Sequence, residues 1–202
     1  MPGLANMLTS SRFVLSPLFA VVFIVMARFD SFEVAGLILL WVIYLLIELS
    51  DAIDGLVARR SDTVTDMGKI LDPFADVVSK VTYFAVLLVA GIVPLWFLLV
   101  VLYREFGIIL IRLILYREGV ALAAHLLGKL KTWFYGLTAA AGLFVLSMDT
   151  LAGEPVRMLS RSGPTWRNGI MQGLLILTAV LCVGSFLRYL VVFLRERRGA
   201  AS

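Results

Sequence analysis

The sequence predicts an all-α integral membrane protein with six transmembrane helices and a short interfacial helix ahead of the first. Three observations predict it. Of the 202 residues, 61% are hydrophobic, whereas a soluble domain holds about 45–50% over a similar residue set. The mean hydropathy is +0.98. The apolar residues also gather into six runs, each near the roughly 20 residues that a spanning helix needs.

Taken in order, Gly3–Thr9 suits the interfacial helix. Phe13–Ala27 is the core of the first span. Only Arg12 precedes it and no convincing cleavage site follows, so it reads as a retained helix rather than a signal peptide. Val34–Leu49 forms the second span and continues into Asp51–Arg59. The third begins near Asp66 and runs through a carboxylate stretch into Val81–Ala90. Pro94–Tyr103 opens the fourth, which continues through Arg104 to about Leu115. Trp133–Met148 makes most of the fifth, with a start before Lys129, and Gly169–Leu194 makes the sixth. The longest connection, from about Asp149 to Asn168, is fairly polar, and no repeat or second domain is visible, so residues 1–202 read as one membrane domain.

With the N-terminus inside, ten basic residues outside the apolar cores face the cytoplasm (among them Arg12, Arg59, Lys129 and Lys131) against four on the other side. That bias places both termini in the cytoplasm. A net charge of +4 beside hydrophobic spans suits anionic lipid surfaces and not nucleic acid. The one cysteine, Cys182, can form no disulfide within the chain and reads as a small core or lipid-facing residue. His125 has no partner motif and reads as an interfacial residue.

Aspartates at membrane depth are costly and need a reason. Residues three, four and seven apart share a helix face. Asp51, Asp54, Gly55 and Ala58 therefore form one stripe on the second helix, and Gly68, Asp72 and Asp76 step along the third. A short connection makes the two helices antiparallel neighbours, so the stripes can face each other near the cytoplasmic interface. Four unpaired carboxylates would repel strongly, and two divalent cations would cancel their charge. Aspartate oxygens are hard, short-armed ligands suited to Mg²⁺ or Mn²⁺, and two such ions about 3.5–4 Å apart can clamp a phosphoryl group. Gly55, Ala58 and Gly68 lack bulk where a nucleotide would approach the backbone, and Arg59 ends the helix within reach of a phosphate. Pro73 has two readings: inside a helix it kinks the chain, whereas in a first turn it is harmless. Asp62 and Asp66 read as a solvated loop. An ion-translocating carboxylate cluster also accounts for buried acids, but not for the glycines and Arg59.

The pattern D-x2-D-G-x2-A-R-x8-G-x3-D-x3-D, from Asp51 to Asp76, resembles the signature of the CDP-alcohol phosphotransferases at every specified position. The resemblance implies a homodimeric six-helix enzyme of the bacterial inner membrane, with a dinuclear Mg²⁺ or Mn²⁺ site at the cytoplasmic boundary. It would join a CDP-linked substrate to an alcohol and release CMP. It further implies that Asp51, Asp54, Asp72 and Asp76 are the metal ligands and that Asp76 is also the base for the incoming hydroxyl. Asp54, Gly55, Ala58, Arg59 and Gly68 would line the CDP pocket.

Within the family, Asn6-Met-Leu-Thr9-Ser-Ser-Arg12, Leu71-Asp72-Pro73-Phe-Ala-Asp76, Arg104-Glu105 with Arg112, and Gly128-Lys129-Leu130-Lys131-Thr132 are similar to the bacterial phosphatidylglycerophosphate synthases. That similarity implies CDP-diacylglycerol as donor and glycerol 3-phosphate as acceptor. Val77 stands where those synthases usually carry lysine, and Lys80, one turn on, offers a similar charge. Arg104, Arg112, Lys129 and Lys131 can form an anion pocket for the acceptor phosphate. Alternatively, Arg104 pairs with Glu105 or Glu48 and the lysines snorkel to lipid phosphates. Phosphatidylglycerol, serine, inositol or inositol phosphate are the other acceptors of the same chemistry, and an ion carrier is the reading outside enzymes.

Overall fold

The structure is a computed structural model. It describes the backbone of residues 2–60, 66–117, 126–153 and 165–199, and side chains within 10–53, 73–115, 130–153 and 169–195. Six α-helices occupy the described residues: α1 (Pro2–Met26), α2 (Glu33–Arg60), α3 (Asp66–Val89), α4 (Leu95–Arg117), α5 (Leu126–Leu151) and α6 (Thr165–Gly199). A 3-10 turn over Asp30–Phe32 precedes α2. The all-α expectation is met. The separate interfacial helix is corrected, because Gly3–Thr9 forms the opening turns of α1 itself. Neither glycine nor proline stands between Thr9 and Phe13 to break the helix there. Pro73 lies well inside α3 and not in its first turn.

The stretches Asp30–Ile53, Leu130–Leu151 and Gly169–Arg195 are long and apolar enough to cross a membrane, and Ser10–Met26 is a shorter apolar helix. α3 and α4 fall short by composition. The first carries Asp72, Asp76 and Lys80, and the second carries Arg104, Glu105 and Arg112. Apolar side chains stand on the described exterior: Val14, Ile24, Ile38, Leu45, Leu110 and Val180 are all exposed. Buried hydroxyls bond within their own helices. Ser16 donates to the Arg12 carbonyl, Ser79 to Ala75, Thr138 to Phe134 and Thr178 to Leu174. Where no water reaches, the preceding turn is the nearest acceptor a hydroxyl can find.

The chain divides into two compact units. The first holds Met1–Ile92 and Ala139–Gly163. In it α2 and α3 both pack against α1. Phe13 stacks on Phe74, Ser16 bonds Ser79 and Phe19 meets Tyr83, so α1 and α3 run parallel. Arg12 reaches Asp51, while Tyr44, lower on α2, touches Tyr83, so α2 runs antiparallel to both. Phe19, Phe23, Leu40, Phe84 and Leu87 fill the core between them. α3 ends in a glycine cap. Gly91 adopts φ 75°, and Ile92 N–H donates to the Leu87 carbonyl while Gly91 N–H donates to Leu88. Only glycine takes that left-handed position without strain.

The second unit holds Val93–Thr138 and Pro164–Ser202, and in it α4 packs against α6. The approach is close at Gly107, where an added Cβ would stand 2.6 Å from a ring carbon of Phe186. Gly107→Ala is therefore expected to destabilise the protein by about 1–3 kcal/mol, the usual cost of overpacking, read as a lower melting temperature in detergent. A bonded pair, Thr138 and Thr178, ties α5 to α6 at 2.8 Å.

Candidate functional site

One end of the α1–α2–α3 unit is polar, and its charges are layered. Arg12 is buried in α1 at 2% exposure. Its Nη1 donates to Asp51 Oδ1 of α2 at 2.7 Å. One turn after Asp76 on α3, Lys80 is also buried and its ammonium bonds Asp76 Oδ1. Glu48, one turn before Asp51, lies in the field of Lys80, Asp76, Asp51 and Arg12. Beneath these groups, Phe19, Tyr44 and Tyr83 close the unit with ring centroids 5.1 and 5.2 Å apart.

The local sequence explains this arrangement. α2 continues unbroken from its apolar half through Asp51 to Arg60, which puts Asp51, Asp54, Gly55 and Ala58 on one helix at the predicted spacing. α3 likewise carries Gly68, Asp72 and Asp76 on one helix. Asp76 bonds Lys80, and Asp51, bonded to Arg12, acts on the same ammonium through its charge. The side chains of Asp54, Gly55, Ala58, Arg59, Gly68 and Asp72 lie outside the described residues.

Whether these residues suit divalent ions can be asked of the two described aspartates. Their side chains are 41% and 26% exposed, so both remain reachable. Carboxylate oxygens are the donors that Mg²⁺ and Mn²⁺ prefer. No group of three or more ligating side chains occurs among the described residues, where Asp51 and Asp76 stand for only half of the expected set. The donor chemistry fits.

The second unit holds the four expected acceptor cations; the side chains of three are described, and two of these share one carboxylate. Arg104 Nη1 donates to both oxygens of Glu105 at 2.8 Å, and Lys131 Nζ donates to Glu105 Oε1 at 2.6 Å. All three residues are buried, and the trio carries one net positive charge. Arg104 Nη2 also donates to Ser185 of α6 at 2.9 Å, while its buried Nε has no partner among the described residues. Lys131 further lies 4.6 Å from the centroid of the Tyr135 ring, whose hydroxyl accepts from Cys182 Sγ at 2.9 Å. Arg112 is exposed and stands over Tyr189 at 5.7 Å. The side chain of Lys129 and all of His125 lie outside the described residues.

Sequence reading treated Arg12 as an interface cation and did not foresee its bond to Asp51. It named Glu48 only as a possible partner of Arg104. The signals were present: an arginine directly before an apolar span, and a glutamate one turn before the first aspartate of the signature. Lys131 was also counted at the interface and is instead buried in an ion pair. The basic residues that orient the chain are therefore fewer than the raw count suggests.

The described residues thus form an all-α chain with helices apolar enough to cross a membrane and a cluster of acids and cations at one end of three of them. Comparison with known proteins gives the class: the model of the CDP-alcohol phosphatidyltransferase family matches residues 3–184, and the chain belongs to that family. Among its relatives is the CDP-diacylglycerol–glycerol-3-phosphate 3-phosphatidyltransferase of Treponema pallidum, 33% identical over 154 residues, covering 75% of this chain and 68% of the relative. The protein of the same name from Bacillus subtilis is 33% identical over 141 residues, covering 65% and 71%. A CMP-forming cardiolipin synthase of Streptomyces coelicolor is 36% identical over 100 residues, covering 49% and 46%.

Proposed function

We infer that this chain is a phosphatidylglycerophosphate synthase-like enzyme, which transfers the phosphatidyl group of CDP-diacylglycerol to glycerol 3-phosphate and releases CMP. The pairing of signature aspartates with buried cations, Asp51 with Arg12 and Asp76 with Lys80, in a member of this family, carries the reading. Relatives at 33% identity carry the name of this reaction, and the net positive charge of Arg104, Glu105 and Lys131 suits an acceptor with its own phosphate better than a neutral alcohol. The whole chain acts as one catalytic domain, spans the bacterial inner membrane six times, works as a homodimer, and keeps its site and both termini in the cytoplasm.

Asp51, Asp54, Asp72 and Asp76 would hold two divalent cations, Mg²⁺ or Mn²⁺. When bound, such ions neutralise charge on a pyrophosphate and on the oxygens entering and leaving it. The remaining steps belong to the chain. Gly55, Ala58 and Gly68 admit the cytidine nucleotide, and Arg59 pairs with its phosphate. Asp76 accepts the proton of the acceptor's 1-hydroxyl, a transfer that needs the two within about 3 Å or one bridging water. The new oxygen–phosphorus bond forms at the lipid-bearing phosphorus as the pyrophosphate bond breaks, and CMP departs. Arg104, Arg112, Lys129 and Lys131 receive the acceptor's own phosphate, with Glu105 setting the charge that two of them present.

Purified protein in lipid–detergent micelles, given CDP-diacylglycerol and Mg²⁺, is expected to release CMP only when glycerol 3-phosphate is added. Release with phosphatidylglycerol, serine or inositol instead would reassign the acceptor. Silence with every alcohol, together with ion flux, would replace the enzyme with a carrier.

A further inference from the structure

The ammonium of Lys80 is buried at 3% exposure and bonded to Asp76, a proposed ligand of a divalent ion. These two roles of Asp76 oppose each other. An ion at the aspartates repels a lysine charge a few ångströms away with little water to screen it. A buried ammonium cannot simply lose its partner, because an unpaired charge in that setting is heavily penalised. It needs another carboxylate within reach.

Lys80 bonds Asp76 and lies in the field of two further carboxylates, Asp51 and Glu48. Asp51 is taken by Arg12 at 2.7 Å and belongs to the same proposed ligand set. Glu48 does not. Its place opposite Lys80 follows from the helix register. Tyr44 of α2 touches Tyr83 of α3 at 5.2 Å, and one antiparallel turn from that contact sets Glu48 beside Lys80. Glutamate also has the longer arm, so it can follow the ammonium without moving either helix.

We propose that Glu48 is a positioning residue that takes Lys80 over from Asp76 when divalent cations occupy the aspartates. It rests on the metal-dependent reading above. Lys80 keeps its proton throughout, and only its partner changes. Glu48 thereby lets Asp76 turn both oxygens to its ligand and its substrate.

The test is Mn²⁺ binding to the full chain in detergent, followed by the spectroscopic signal of free aqueous Mn²⁺, with no turnover involved. Glu48→Gln is expected to weaken binding about tenfold, but less than about threefold when Lys80→Gln is also present, since coupling between contacting residues shows in such a cycle. An equal loss in both backgrounds, or no loss, overturns the exchange: Glu48 would then be only a nearby charge or a bystander. Absence of Mn²⁺ binding by the unaltered protein would instead remove the metal reading, and the exchange with it. Should Glu48→Gln fail to fold, Lys80→Gln alone decides. Removing the competing cation is expected to tighten Mn²⁺ by about threefold or more, and unchanged or weaker binding overturns the proposal.

Discussion

Asp76→Asn is expected to lower CMP release by about 10³-fold or more, because it removes the proposed base and one metal ligand together, and a positioned base alone contributes about 10²–10⁴-fold. The amide keeps the size of the carboxylate, and an oxygen of the side chain can still accept from Lys80. The melting temperature in detergent should therefore stay close to that of the parent, and the loss should appear in kcat. Substantial turnover by a folded Asp76→Asn protein would remove the assigned role. Measuring Mn²⁺ binding on the same sample separates the two losses: a variant that binds Mn²⁺ normally but does not turn over has lost only the base.

The second large effect is expected at Arg12. Arg12→Met keeps most of the side chain's length but removes the guanidinium that holds Asp51 at 2.7 Å. Loss of a hydrogen bond between charged groups costs about 1.5–3 kcal/mol, tempered here because Asp51 is 41% exposed. Activity should fall further than stability. Groups that orient metal ligands typically alter metal affinity or rate by about 10–100-fold when removed, and Asp51 has no other bonded partner among the described residues. Arg12→Lys should not restore it, since a lysine lacks the planar fork with which arginine meets a carboxylate. Equal activity in Arg12→Met and parent, measured at saturating Mg²⁺, would make Arg12 purely structural.

Much of this arrangement was legible in the chain. The all-α character followed from composition, and the helical spacing of Asp51, Asp54, Asp72 and Asp76 could be read directly, because α2 and α3 do continue through those residues. What sequence could not supply was the third helix of the site. Arg12 lies 39 residues from Asp51, and no periodicity links them; only the packing of α1 between its neighbours does. Glu48 was hidden for a different reason. Read linearly it is one polar residue in an apolar run, and it gains meaning only when the Tyr44–Tyr83 contact fixes the register. Gly3–Thr9 reads as a separate interfacial helix only if something breaks the chain before Phe13, and no glycine or proline does so. Arg104 fell between two readings that sequence left open, and its immediate neighbour Glu105 is the partner it takes.

That last pair bears on how the protein is made. Arg104 and Glu105 are consecutive residues, so their charges meet as soon as α4 has left the ribosome. A lone arginine at the centre of a helix resists insertion by about 2.5–3.5 kcal/mol, and a lone glutamate resists it too. Together they form a closer approach to a neutral dipole. Lys131 and Ser185 come later in the chain and join a group already in place. α4 thus carries its own counter-ion, and the helices synthesised after it dock onto that charge pair rather than rescue it.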